Sequence, residues 1–448
     1  MSQTRHDTFR AGAGVVDVTP SVPVPMSGFG ARTGLCAGVH DPLYARAVAV
    51  GVPGADPTVL ISIDCLGIDA SVAEAVRLGL APLATERIAV VATHTHGGPP
   101  VLRDAFLGET EDRVMDRLVS GAVPAARAAL AALAPAELRF GRSIAAGVAR
   151  NRRQAAGPVD EDVAVISLWR PGASVPFCAL VDFAMHPVVL GSDNRWLTRD
   201  YVGYLVDGVE ESYPGCMGMF VCGCAGQINM GHLAADSWST QPTQTRTFEV
   251  AAAIGARLVE AAREAVDHRS RPVLPGSRVG AVFHELSLPM SEPVPAVVDA
   301  LPLWSSELEE ARSAGDDARA GLLSGVVDWA NARLALGTGS EQAGSHDTVL
   351  QAFSWGDVDL LFLPGEPFVE YGLALKARHG PRLMVCAYAN DAPGYIPTAA
   401  SLPEGGYEID SAYRYYGLPG PFTEQAEALL LGACETLLVA LAADTLDG

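Results

Sequence analysis

His94 and His96, separated by a single threonine, follow an apolar run at residues 88–92 and lead straight into Gly97-Gly98-Pro99-Pro100. The β-branched run reads as a buried strand and the Gly/Pro quartet as a loop. Two imidazoles therefore stand at the mouth of a strand, where an α/β enzyme places its chemistry. Neutral imidazole is the commonest protein ligand for zinc. Taken alone, the pair reads equally well as two hydrogen-bonded loop histidines.

Other apolar runs end in the same way. Residues 175–184 stop at Met185-His186-Pro187, and residues 358–363 at Pro364-Gly365-Glu366-Pro367. Residues 383–388 stop ahead of Asn390-Asp391 and Pro393-Gly394-Tyr395, and residues 219–222 ahead of Gly226-Gln227-Ile228-Asn229. If these strands share a sheet, their ends converge although they lie far apart in sequence. Two histidines, one glutamate and an open position make a catalytic zinc pattern, in which the metal lowers the pKa of bound water to ~7 and polarises a carbonyl.

The elements that must position these groups alternate. Residues 47–52, 59–64 and 163–169 read as further strands, and residues 72–83, 113–133, 201–213 and 247–266 as helices, with Pro124 expected to kink or interrupt the second. This alternation predicts an α/β fold, a mixed β-sheet core flanked by helices, in one large catalytic domain spanning residues 1–448. Residues 291–342 differ, being polar, helical and Ala-rich with Glu307, Glu309, Glu310, Asp316 and Asp317. They read as a helical insertion or lid, or as an ordinary solvated helix pair.

Bulk properties narrow the partners. The 448 residues carry 31 basic and 52 acidic side chains, a formal charge of −21. Such a surface repels nucleic acid and anionic headgroups. A small-molecule substrate is expected, with no nucleic acid and no stable membrane insertion. Self-association into a homo-oligomer stays open. No apolar leader stands at the start, and no uncharged apolar run reaches ~18 residues; residues 428–443 include Glu435 and read as an amphipathic helix. The expected location is cytoplasmic, with the eight scattered cysteines reduced and packed, Cys222-Gly-Cys224 included.

In order along the chain, Gly14-Val-Val-Asp17-Val-Thr19-Pro20, Met26-Ser-Gly28-Phe29, His40-Asp-Pro-Leu-Tyr-Ala-Arg46, Thr93-His94-Thr-His96-Gly-Gly-Pro99, Asn151-Arg152, Phe183-Ala-Met-His186-Pro, Leu363-Pro-Gly365-Glu366, and the pair Tyr395 and Tyr407 resemble the neutral/alkaline non-lysosomal ceramidase family. The resemblance implies cleavage of an amide to a fatty acid and an amino alcohol. It implies His94, His186, Glu366 and Tyr395 as ligands of one zinc ion. It implies His96 as the proton-transfer residue, and Arg152 and Tyr407 as holders of the substrate carbonyl or oxyanion.

The residues' own chemistry leaves duller roles open. His96 reads as a further ligand, Glu366 as a helix N-cap, Arg152 as part of a solvated turn with Arg150 and Arg153, and Tyr407 as packing. Asp64 and Asp200 read as carboxylates that orient histidines, or as structural groups. His6, His232, His268, His284, His346 and His379 lack converging context. Asn229 stands where the family has a serine, and an amide is no nucleophile; Asn229 and Gln227 are expected to contact substrate, with a backbone turn as the other reading for Asn229. The family's C-terminal immunoglobulin-like domain is expected to be absent. These departures point to an amide smaller and more polar than ceramide, such as an N-acyl amine or N-acylated metabolite, attacked by zinc-bound water without an acyl-enzyme. An esterase or lactonase using the same site, or a non-catalytic ligand-binding protein, are the rival readings.

Overall fold

The computed structural model describes residues 8–102, 110–275, 279–293, 295–335 and 344–446. His6 and the end of the expected insertion, residues 336–342, lie outside the described residues. Strands β1 (Phe9–Asp17), β2 (Tyr44–Gly51), β3 (Thr58–Ile63), β4 (Ile88–Ala92), β5 (Ala134–Ile144), β6 (Asp162–Trp169), β7 (Cys178–Phe183) and β8 (Met217–Cys222) form one sheet. Their order is β8-β7-β6-β5-β1-β2-β3-β4, with the short strand Arg271–Pro272 alongside β5. The pairs β3/β4 and β7/β8 are parallel. A second sheet holds β9 (Gly280–Pro289), β10 (Ser345–Trp355), β11 (Val358–Phe362) and β12 (Leu383–Cys386) in sequence order, with β11 and β12 parallel.

The layers run helix, sheet, sheet, helix. Helices α1 (Ala70–Gly79), α2 (Asp112–Ala131), α3 (Tyr201–Ser212) and α4 (Phe248–Asp267) cover the outer face of the large sheet. The inner faces of the two sheets pack together through Val48, Val50, Leu180 and Met219 against Phe353, Trp355 and Phe362. Period-2 alternation does this in β2: Ala45, Ala47 and Ala49 meet the helices while Val48 and Val50 meet the second sheet. Burial on both faces is why these strands read as unbroken apolar runs. Helices α5 (Val297–Ala314), α6 (Asp317–Ala335), α7 (Val369–His379), α8 (Ala412–Tyr415) and α9 (Gln425–Leu446) cover the far face of the second sheet.

The large sheet curls until its two edges meet one segment. Ser62 Oγ in β3 donates to Phe220 O in β8 at 2.6 Å. Beyond β12, Ala387 N donates to Cys222 O at 2.8 Å, while Ala92 N donates to Tyr388 O at 3.0 Å. The carboxyl ends of β4, β7, β8, β11 and β12 are thereby drawn together.

The expected mixed α/β architecture is present, with three departures. Pro124 does not break α2, which runs unbroken from Asp112 to Ala131. Pro124 faces solvent, where water satisfies the carbonyl it orphans, while Leu118, Ala122, Ala125 and Ala129 anchor the other face. Strands β1, β5, β9 and β10 were not among the expected elements. Helix α9 is less amphipathic than its sequence suggested. Residues Gln425–Ala443, of mean hydropathy 1.8, are long and apolar enough to cross a membrane by composition. One face packs on the second sheet through Leu430, Cys434, Leu437 and Leu441, and Leu429 and Val439 are exposed on the other.

Candidate metal centre and active site

The curled sheet sets His94, His96 and His186 side by side, with their ligand atoms within 4.8 Å of one another. His94 follows β4 directly and holds a left-handed backbone at φ 66°, a strain that persists only where surrounding contacts over-determine it. Here the Tyr388 ring stacks on the imidazole at 4.2 Å. His186 follows β7. Glu366, beyond β11, pairs with Tyr395 in a two-residue parallel bridge, Glu366–Pro367 against Tyr395–Ile396.

One device orients all three imidazoles. His94 Nδ1 meets Leu66 O at 2.6 Å, His96 Nδ1 meets Gly28 O at 2.9 Å, and His186 Nδ1 meets Ala225 O at 2.7 Å. A carbonyl only accepts, so each Nδ1 carries the proton and each Nε2 presents its lone pair. Gly28 (φ 93°) makes the approach feasible, since a Cβ there would lie 2.5 Å from His96 Nδ1.

The lone pairs face one another and a carboxylate. His94 Nε2 is 3.3 Å from His96 Nε2 and 3.2 Å from Glu366 Oε2, and His186 Nε2 is 2.9 Å from the same oxygen. Burial pushes His186 down to about 4 and His96 well below the usual imidazole range. Converging acceptors with no proton between them repel unless a cation sits among them, so this donor set fits a divalent metal ion.

Above these groups lies a cavity of ≈ 40 Å³, lined among others by His96, Arg152, Tyr395 and Tyr407. Arg152 Nη2 donates to Tyr395 Oη and to Gly226 O, both at 3.1 Å, and its Nε donates to Glu408 Oε1 at 2.7 Å. Arg153 Nη1 donates to the other Glu408 oxygen at 2.8 Å. The two arginines are thus held by one buried carboxylate rather than forming a solvated turn. Tyr395 lies parallel to His186 at 6.2 Å, and Tyr407 meets Tyr395 edge-on at 5.8 Å.

Other expected roles do not survive the geometry. Neither Asn229 nor Gln227 lines the cavity. Asn229 closes a turn, accepting from Gly231 N and donating to His232 O. Gln227 accepts from Val369 N and donates to Glu370. Asp64 binds Tyr44 N and Arg46, and Asp200 caps α3, so neither orients a histidine. Glu366 precedes α7 without capping it, the cap residue being Phe368.

The sequence reading passed over Glu408, although it adjoins Tyr407, and Tyr416, whose hydroxyl donates to Glu366 Oε1. It also passed over Leu322 of α6, which lines the cavity. The eight cysteines are free and buried, and the Cys222-Gly-Cys224 pair joins no metal-ready cluster among the described residues.

Fold and site together define a mixed α/β protein with a metal-ready pocket at its strand ends. More narrowly, the chain belongs to the neutral/alkaline non-lysosomal ceramidase family, whose N-terminal model matches residues 9–237. Among solved structures, a ceramidase complexed with C2 is similar over 98% of this chain and 76% of its own, at 18% identity and a TM-score of 0.73. The neutral ceramidase from Pseudomonas aeruginosa is similar over 96% of this chain and 75% of its own, at 20% identity and a TM-score of 0.71. At such identities the likeness is one of fold. No curated protein matches the chain.

Proposed function

We propose that the chain is a zinc-dependent amidohydrolase acting on a linear amide, an N-acyl amine or N-acylated metabolite. The observation that carries this reading is the convergence of three Nε2 lone pairs and the Glu366 carboxylate on one buried point. His94, His186 and Glu366 would hold the ion, with Tyr395 beside them as a weak fourth ligand. A zinc ion there supplies Lewis acidity and water activated at neutral pH.

The chain's own groups do the rest. Arg152, fixed by Glu408 and Gly226 O, puts its charge and a donor where a carbonyl oxygen gains negative charge, and the Tyr407 phenol faces the same space. One such donor is worth ~3 kcal/mol. His96 differs from the other two imidazoles in lining the cavity. Its Nε2 accepts a proton as the carbonyl is attacked and passes it to the departing amine nitrogen. The inward-turned Asn229 leaves no nucleophile at that position, so water attacks directly.

The test is metal analysis of purified protein combined with matched amides and esters of the same acyl groups. Stoichiometric zinc, amide turnover lost on chelation, and recovery on adding zinc are expected. Zinc-independent turnover, or turnover of esters alone, overturns the reading.

A further inference from the structure

Left-handed backbone is uncommon outside glycine, and a ring-bearing residue keeps it only where neighbours enforce it. Among the described residues four non-glycine positions adopt it, His94, Asp200, Tyr388 and Asn390. Three of these meet at one place, where the segment after β12 lies along β4. Tyr388 and Asn390 take φ 57° and 63°, beside 66° at His94.

The enforcing contacts form a clamp. β4 is an edge strand of the large sheet, and Ala389 bridges to Val91 on its open side. Asn390 N donates to Val90 O at 2.7 Å, and Val90 N donates to Asn390 Oδ1 at 3.0 Å. Asn390 Nδ2 donates to Gln351 Oε1 at 2.9 Å, and Gln351 Nε2 donates onward to Glu86 O and Ile88 O at 2.8 and 3.1 Å. Tyr388 N donates to Gly365 O at 3.0 Å, one residue before Glu366. The segment is thus tied to β4, to β10 and to the loop that carries the carboxylate.

What the clamp presents is the Tyr388 ring. It is buried and lies against the His94 imidazole at 4.2 Å, with 26° between the planes. His94 Nδ1 has one carbonyl partner, Leu66 O, whereas His186 Nδ1 faces two, Ala225 O and Ile228 O. A single hydrogen bond fixes the tautomer but leaves a ring free to swing about it; a flat ring against its face removes that freedom. The hydroxyl adds nothing to this, since the buried Tyr388 Oη makes no hydrogen bond among the described residues.

We propose that Tyr388 is a positioning residue for the metal centre. Its ring, and not its hydroxyl, sets the plane of His94 so that Nε2 points to the space shared with His186 and Glu366, and Asn390 with Gln351 holds that ring in place. The proposal rests on the metal-centre reading and extends it to a side chain that would ligate nothing itself.

The experiment measures zinc affinity by competition with a chromophoric chelator, and the visible spectrum of the cobalt(II)-loaded chain, in the unmodified protein and three variants. Tyr388→Leu weakens zinc binding about 10–100-fold, the range for groups that orient a ligand, and alters the cobalt bands. Tyr388→Phe keeps the ring and stays within about threefold of the unmodified protein, with the same bands. Asn390→Gly accepts the left-handed backbone but removes the clamp, so it shifts affinity and bands in the direction of Tyr388→Leu and serves should that variant fold poorly. Cobalt bands unchanged in both Tyr388→Leu and Asn390→Gly overturn the proposal, as does a Tyr388→Phe that loses as much affinity as Tyr388→Leu. An unmodified chain that binds neither zinc nor cobalt overturns the metal centre itself, which is a different result from tight binding that ignores Tyr388.

Discussion

The Tyr416 hydroxyl donates to Oε1 of Glu366, while Oε2 of the same carboxylate faces His186 Nε2 at 2.9 Å and His94 Nε2 at 3.2 Å. The carboxylate is thus gripped from behind and presents one oxygen to the imidazoles. Groups that orient a ligand in this way typically contribute 10–100-fold in metal affinity. Tyr416→Phe is expected to weaken zinc binding by about that factor with the fold intact, read by competition against a chromophoric chelator. Unchanged affinity would remove Tyr416 from the metal's support.

Glu408 spans Arg152 and Arg153 with its two oxygens. Replacing one partner of a buried ion pair leaves an uncompensated charge, at a cost of about 3–5 kcal/mol. Glu408→Gln should lower the urea midpoint accordingly. It should also lower kcat more than it raises KM, because Arg152 loses its fixed aim. Zinc content stays at the unmodified level. A variant that loses zinc instead would place Glu408 with the metal rather than with Arg152.

His96 is separated from His94 and His186 by its exposure to the cavity, and three variants test the distinction. His94→Ala and His186→Ala should purify without stoichiometric zinc. His96→Ala should retain the metal and lose about 10²–10⁴-fold in kcat, the range of general acid–base catalysis. Loss of zinc from all three variants makes His96 a ligand.

Stability should depend on Asp182 in β7. Burial pushes its carboxyl up to about 8, with Lys376 and Arg142 opposing the shift and Asp160 and Asp162 adding to it. The surrounding Cys222, Cys224 and Cys386 thiols and the Tyr201 phenol are pushed up by burial and stay protonated. In the unfolded chain Asp182 titrates near ~4. Between those two values the folded state keeps a proton that the unfolded state has released, so stability falls as pH rises, by up to ~1.4 kcal/mol per unit. Urea midpoints should decline from pH 5 to pH 8, and Asp182→Asn should flatten the decline. An equal slope in the variant assigns it to other groups.

The legible parts of this protein are those where local chemistry and burial agree. Strands β4, β7, β11 and β12 are buried on both faces, so their apolar runs stand out, and the Gly and Pro residues that end them mark where side chains are released toward a site. His94, His96, His186 and Glu366 were visible for that reason. β9 was not: its buried Leu288 and Gly280 are separated by half-exposed and exposed residues such as His284 and Glu285. Asn229 and Gln227 misled because an amide beside glycine looks the same whether it greets a substrate or closes a turn; only their partners Gly231 and Val369 decide. Tyr416, Glu408 and Leu322 were hidden because each acts through a contact made across the fold, Arg152 to Glu408 spanning 256 positions.

His186 and Glu366, which face each other at 2.9 Å, are 180 positions apart in the chain. During synthesis, a nascent chain that has emerged through residue 237 holds every imidazole of the cluster and none of the carboxylate that completes it. The full centre therefore exists only where the segment after β11 lies against the curled sheet. A metal ion held jointly by His186 and Glu366 would therefore depend on closure of the whole polypeptide.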